Sequence, residues 1–217
     1  DRIILRDGGL LDFRSGGNAA GLSGFESLAL AGSNNTVLLA AATATGAFQG
    51  YFTIQGSAGD DTVYAALAPA STRIAFVAGT GDDRFYGGAG NDIIWIAPSA
   101  RNGNDLFSGA GGIDSLAFSA AGTVGPSGFT NILGIERILL HAGGNTIALT
   151  QDAAASATGG LAVIGGAGND VLVRQHVAVA VEDDARAEAL RRALPRLEEV
   201  LEEVVRERAD VGLAVGG

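Results

Sequence analysis

The chain has 217 residues, a formal net charge of −10 and no cysteine, and all 14 of its basic residues are arginine. That length holds one sizeable core or two small ones, and the missing thiols exclude a disulfide framework and cysteine chemistry. The acidic balance argues against nucleic acid and anionic membranes as partners, and no run reaches the roughly 18 apolar residues of a membrane-spanning helix.

Residues 1–21 carry short apolar runs between glycines and are expected to form one or two strands that complete a first coil. They open at Asp1 with neither Met nor an apolar leader, as a piece of a longer protein would. Gly24–Leu39 (GFESLALAGSNNTVLL) aligns without a gap on Gly134–Leu149 (GIERILLHAGGNTIAL), with Glu26/Glu136, Leu30/Leu140, Asn35/Asn145, Thr36/Thr146 and Leu39/Leu149 identical. Asn35 and Asn145 stand where an acid would sit in the units described next. Stacked amides can hydrogen-bond along a ladder without a metal, so both are expected to be metal-free rungs.

From Gly56 a nine-residue unit recurs. It reads GSAGDDTVY over 56–64, runs twice end to end, less the first residue of the first unit, in GTGDDRFYGGAGNDIIW over 79–95, degenerates around Asp105 and Asp114, and returns as GGAGNDVLV over 165–173. Its sixth place is an acid and its eighth is apolar in all six cases: Asp61/Val63, Asp83/Phe85, Asp92/Ile94, Asp105/Phe107, Asp114/Leu116 and Asp170/Leu172. The seventh place is mixed (Thr62, Arg84, Ile93, Leu106, Ser115, Val171). An inward eighth place and an outward seventh would give that contrast on a strand. The glycines let each turn adopt positive φ and bring backbone carbonyls together. Carbonyls plus a carboxylate form a hard oxygen set suited to Ca²⁺.

Asp61, Asp83 and Asp105 are 22 residues apart, as are Asp92 and Asp114, and within a pair the step is 9. This predicts a coil of 22 residues with two strands and two turns, one turn about four residues longer, and two columns of stacked acids. Successive coils lie about 4.8 Å apart. Two carboxylates at that distance repel by about 3–4 kcal/mol at an effective dielectric near 20. Without a cation the columns oppose folding; with one they support it.

Residues 65–78 and 119–132, with Pro69 and Pro126, are expected to connect or widen coils. At Glu182 the composition changes. Leu190, Leu194, Leu197, Leu201 and Val204 recur in steps of 4 and 3, the seam of an amphipathic helix interrupted at Pro195. The expected division is a β-solenoid over 1–181 and, over 182–217, a helix that caps the last coil, pairs with a second copy, or is an unrelated tail. His141 and His176 stand in no HExxH or triad setting, and no G-x-S-x-G elbow, phosphate loop or EF-hand loop occurs. Tyr64 and Tyr86 hold the ninth place in one column and Trp95 the ninth place in the facing column; if outward, they would form an aromatic patch able to stack on a glycan, and otherwise they pack beneath a loop.

Gly87–Trp95 and Gly165–Val173 fit G-G-x-G-x-D-x-U-x at every fixed position, and on these units residues 24–173 resemble the RTX, or haemolysin-type, calcium-binding repeat proteins. The resemblance implies an all-β solenoid, a right-handed parallel β-roll or β-helix binding several Ca²⁺ ions. The ligands would be Asp61, Asp83, Asp92, Asp105, Asp114 and Asp170, with turn carbonyls including those of Gly79, Gly81, Gly88, Gly90, Gly166 and Gly168. It further implies a bacterial protein exported by type I secretion, extracellular or at the cell surface, that folds when it meets millimolar calcium. The family coil of two uninterrupted nonapeptides has 18 residues, and 22 departs from it. The leading expectation is a non-enzymatic structural or adhesin-type module, part of a larger secreted protein. A module of a secreted carbohydrate-acting or proteolytic enzyme, and a calcium-independent scaffold, stay open.

Overall fold

Short runs of β-branched and aromatic residues alternate with Gly-Asp turns, so no single strand can bury its apolar side alone; burial requires stacking one coil on the next. A computed structural model shows that stack. It describes residues 1–18, 20, 26–39, 50–150, 153, 157 and 160–174, all within the compact unit Asp1–His176. The helix expected over 182–217 lies outside the described residues.

One wall is an eight-stranded sheet of Arg2–Leu5 (β1), Ser27–Leu30 (β3), Gly50–Gln55 (β5), Thr72–Val77 (β7), Ile93–Ile96 (β9), Ser115–Phe118 (β11), Arg137–Leu139 (β14) and Ala162–Ile164 (β16), in that order. The facing wall begins with six strands, Leu10–Asp12 (β2), Thr36–Leu38 (β4), Thr62–Tyr64 (β6), Arg84–Tyr86 (β8), Leu106–Ser108 (β10) and Ile132–Leu133 (β13). It is continued by a three-stranded sheet of Gly122–Val124 (β12), Asn145–Leu149 (β15) and Val171–Arg174 (β17). Every pairing is parallel, and each chain passage goes from one wall to the other and back. The protein is an all-β parallel solenoid.

The core is a set of ladders. Leu28, Ile54, Phe76, Ile94, Leu116 and Ile138 stack in register along the first wall, and Val37, Val63, Phe85, Phe107 and Ile132 along the second, all at most 3% exposed. The eighth place is inward for five of the six units; Leu172, on the terminal strand β17, is 42% exposed because no described coil covers it. Of the seventh places, Ser115 is buried, against the outward expectation.

The uniform coil of 22 is corrected. Phe76 pairs with Ile94, a step of 18, whereas Ile54 to Phe76, Ile94 to Leu116 and Val63 to Phe85 are steps of 22 and Val37 to Val63 a step of 26. The longer turn changes sides: it returns to the first wall between Val63 and Phe76, then leaves it between Ile94 and Phe107. One coil therefore has two nine-residue turns. Residues 65–78 are more than a connector, since β7 lies there with Ile74 and Phe76 fully buried. Residues 119–132 widen the coil through β12, a 3-10 turn at Pro126–Phe129 and β13. Phe129 closes this widening edge-on against Phe118, with ring centroids 6.5 Å apart. After it the next coils stack on β12 instead of β13, which is why the second wall splits.

Candidate metal centre

The turn residues sit where two chain levels come closest, and glycine is required there for space or for φ. A Cβ on Gly79 would overlap the carbonyl of Ser57 one coil earlier, and one on Gly90 the carbonyl of Thr72. Gly81 and Gly112, each in the fourth place of its unit, have φ of 117° and 114°, where an L side chain is strained. The carbonyls of Gly81 and Gly88 already accept hydrogen bonds, from Asn102 Nδ2 and from the Gly111 N–H.

The acids form the two expected columns. Asp61, Asp83, Asp92, Asp105 and Asp114 are all 2% exposed or less. Each accepts at Oδ1 a backbone N–H from the coil before it. Asn35 donates to Asp61 (3.1 Å), Asp61 to Asp83 (2.9 Å) and Asp83 to Asp105 (2.9 Å) in one column. Ile74 donates to Asp92 (2.7 Å) and Asp92 to Asp114 (2.6 Å) in the other. That second column extends to a residue outside the expected ligand set, for the Asp114 N–H donates to Glu136 Oε2 at 2.9 Å. Asp170 stands apart from both, accepting the Asn145 N–H at 2.8 Å.

The two asparagine rungs do not form an amide ladder with each other. Asn35 gives Asp61 Oδ1 a second bond from Nδ2 at 2.7 Å, while Asn145 turns its Nδ2 to the carbonyls of Ala120 and Gly122. In both cases a neutral amide stands one level before a carboxylate.

The second oxygen distinguishes the units. Asp61 Oδ2 accepts the Ser57 N–H (2.6 Å), Asp92 Oδ2 the Gly88 N–H (3.0 Å), Asp105 Oδ2 the Asn102 N–H (2.9 Å) and Asp170 Oδ2 the Gly166 N–H (2.9 Å). Asp83 Oδ2 and Asp114 Oδ2 are buried with no partner. These are the two units whose fourth-place glycine has positive φ. Burial pushes both carboxyls up to about 7, helped at Asp83 by the charges of Asp61, Asp105 and Asp60, and at Asp114 by those of Asp92 and Glu136. Burial raises Asp92 less, to about 6, because the N–H groups of Ile74 and Gly88 oppose it. A buried polar atom without a partner costs free energy until something supplies one.

Among the described residues no three carboxylates or imidazoles converge on one point. Each column instead offers stacked buried carboxylates with one unpartnered anionic oxygen per column, a hard and incomplete oxygen set, and that donor chemistry fits Ca²⁺.

Sequence reasoning missed a third column on the outer rim. The Asp60 N–H donates to Asn34 Oδ1 (3.2 Å), the Asp82 N–H to Asp60 Oδ1 (2.8 Å) and Asn104 Nδ2 to Asp82 Oδ2 (3.1 Å). Its signal was the Asx doublet at places five and six in Asn34-Asn35, Asp60-Asp61, Asp82-Asp83 and Asn104-Asp105. The three-residue aromatic patch does not form. Tyr64 and Tyr86 stack on the six-stranded sheet at 4.8 Å with planes 2° apart, whereas Trp95 lies on the eight-stranded sheet opposite.

The family model of the RTX calcium-binding nonapeptide repeat matches the chain in four copies, over residues 53–67, 76–95, 99–116 and 163–173. No curated protein and no solved structure matches it significantly.

Proposed function

Since the chain carries RTX calcium-binding nonapeptide repeats, and such repeats bind Ca²⁺, we propose that this solenoid is a non-catalytic, calcium-dependent folding module of a larger secreted bacterial protein with a structural or adhesin-type role. The observation that carries the reading is the pair of buried, unpartnered oxygens, Asp83 Oδ2 and Asp114 Oδ2, one in each column. Asp83 with its neighbour Asp61, and Asp114 with Asp92 and Glu136, would hold the ions together with carbonyls of the surrounding turns. Bound calcium supplies the positive charge that the columns lack and satisfies the orphaned oxygens; the chain's own part is to set the turns in register and keep bulk water from the carboxylates.

Such a module is poorly stable where calcium is scarce and folds where it is abundant, which suits type I export and an extracellular or cell-surface destination. Affinities of about 10⁻⁴–10⁻³ M, those of extracellular calcium modules, would set that switch. The test is far-UV circular dichroism of the chelator-treated chain during titration with CaCl₂ or MgCl₂. A cooperative gain of β signal near millimolar Ca²⁺, not reproduced by Mg²⁺, is expected. A full β signal in excess chelator that calcium leaves unchanged would refute the proposal.

A further inference from the structure

The carboxylate at the far end of the first column is held unlike the others. Asp105 lies at the end of the longer turn that leaves β9, and that turn folds back through hydrogen bonds from the N–H groups of Ala100 and Arg101 to the Ala97 carbonyl. The fold-back drives the Arg101 side chain inward, where it is fully buried. Its Nη1 lies 2.9 Å from Asp105 Oδ2, and it also donates to the carbonyls of Asn102 (2.7 Å) and Asp105 (3.2 Å). The guanidinium carbon sits 4.8 Å from the ring centroid of Phe107, the core residue of the same unit. Asp105 Oδ1 accepts the Asp83 N–H, and Oδ2 takes this guanidinium in addition to the Asn102 N–H, whereas Asp83, one level earlier in the same column, keeps one oxygen without a partner, as Arg101 keeps Nε and Nη2.

We infer that Arg101 is a built-in cation: it occupies the place at Asp105 that calcium takes at the other carboxylates, so this level of the column is closed without metal. The inference rests on the calcium reading above. A guanidinium is charged at every physiological pH, and its flat face suits an aromatic ring as well as a carboxylate. It neutralises the buried anion with one permanent charge supplied by the chain. It also occupies the interior beside Asp105 that an ion and its carbonyl ligands would need. The four residues by which the 94-to-107 link exceeds a nonapeptide step are what bring the arginine there. Although residues 99–116 match the calcium-binding repeat, Asp105 on this account is not a calcium ligand. The column begins at an amide, Asn35, and ends at a guanidinium, with the calcium-demanding acid between them.

The experiment counts calcium ions per chain by isothermal titration with CaCl₂ on the full chain, for wild type, Arg101→Met and the double variant Arg101→Met/Asp105→Asn, with circular dichroism confirming that each is folded at saturating calcium. Arg101→Met exposes the Asp105 carboxylate to a vacated interior and is expected to take up one more ion than wild type. The double variant removes both charges and is expected to bind the wild-type number. Loss of one ion in the double variant, or no additional ion in folded Arg101→Met, overturns the inference while leaving the calcium reading intact. A wild type that binds no calcium overturns both.

Discussion

Replacing Asp83 by asparagine should stabilise the solenoid in chelator and weaken its response to calcium. In the wild type the Asp83 carboxyl is fully buried and pushed up to about 7, against an ordinary value of 3.8. At a pH slightly above 7 the folded chain therefore carries an ionised carboxylate at a penalty of up to about 4 kcal/mol, at roughly 1.36 kcal/mol per pKa unit. The amide removes the charge and keeps an oxygen for the Asp61 N–H. Its new N–H₂ has a precedent in the same column, where Asn35 Nδ2 reaches Oδ1 of the next residue down. The net gain without calcium should be between about 2 and 4 kcal/mol, allowing for solvent reorganisation around the site. A chain of this size gains roughly 2–4 °C in Tm per kcal/mol, so a rise of about 5–15 °C is expected in EDTA. With calcium at one hundred times Kd a single site contributes about 2.7 kcal/mol, which the variant forgoes at this level. Its advantage over wild type should therefore shrink or reverse in calcium. The assay is thermal and urea unfolding of both proteins in EDTA and in 10 mM CaCl₂, about one hundredfold above a 10⁻⁴ M affinity. An Asp83→Asn protein no more stable than wild type in EDTA, or one whose calcium shift equals the wild-type shift, would refute the reasoning.

Acid should partly substitute for calcium. Asp83 and Asp114 at about 7 and Asp92 at about 6 lie above their unfolded values, so the fold binds protons more tightly than the unfolded chain. The stability they contribute is complete below about pH 4 and is lost as pH rises through 6 to 7. In chelator, urea midpoints should fall across that window while the calcium-induced increment grows; a flat profile in chelator would contradict this. Gly90→Ala drives a methyl into the Thr72 carbonyl of the coil before and should cost about 1–3 kcal/mol, whereas Gly125→Ala meets no atom within 4 Å and serves as the control. Equal losses in urea unfolding would show that the coils are not packed in this register. Asp83→Ala should move the calcium midpoint more than Asp170→Ala, because Asp83 has acids one level away on both sides and Asp170 is paired with the neutral Asn145. Matching midpoints in parallel titrations would count against the columns.

The periodic features needed only local chemistry and were legible in the chain. An apolar residue two places after each acid dictates an inward strand after a turn, and Val63, Phe85, Ile94, Phe107 and Leu116 are inward. The interval of 22 placed Asp61, Asp83 and Asp105 in one column and Asp92 and Asp114 in the other, because a parallel stack aligns residues one coil apart. Wherever a side chain's role depends on which coil lies against it, the sequence was silent. The 18-residue step from Phe76 to Ile94 arises because the longer turn changes sides, and no periodicity records on which side of the stack extra residues emerge. Glu136 joins the second column from a unit with no nonapeptide signature, and Arg101 reaches Asp105 only because its turn folds back over the Phe107 ring. Local φ preference and alternation fix what each turn and strand must be. The neighbour that satisfies a buried charge is set by packing between coils distant in sequence, and only the assembled stack decides it.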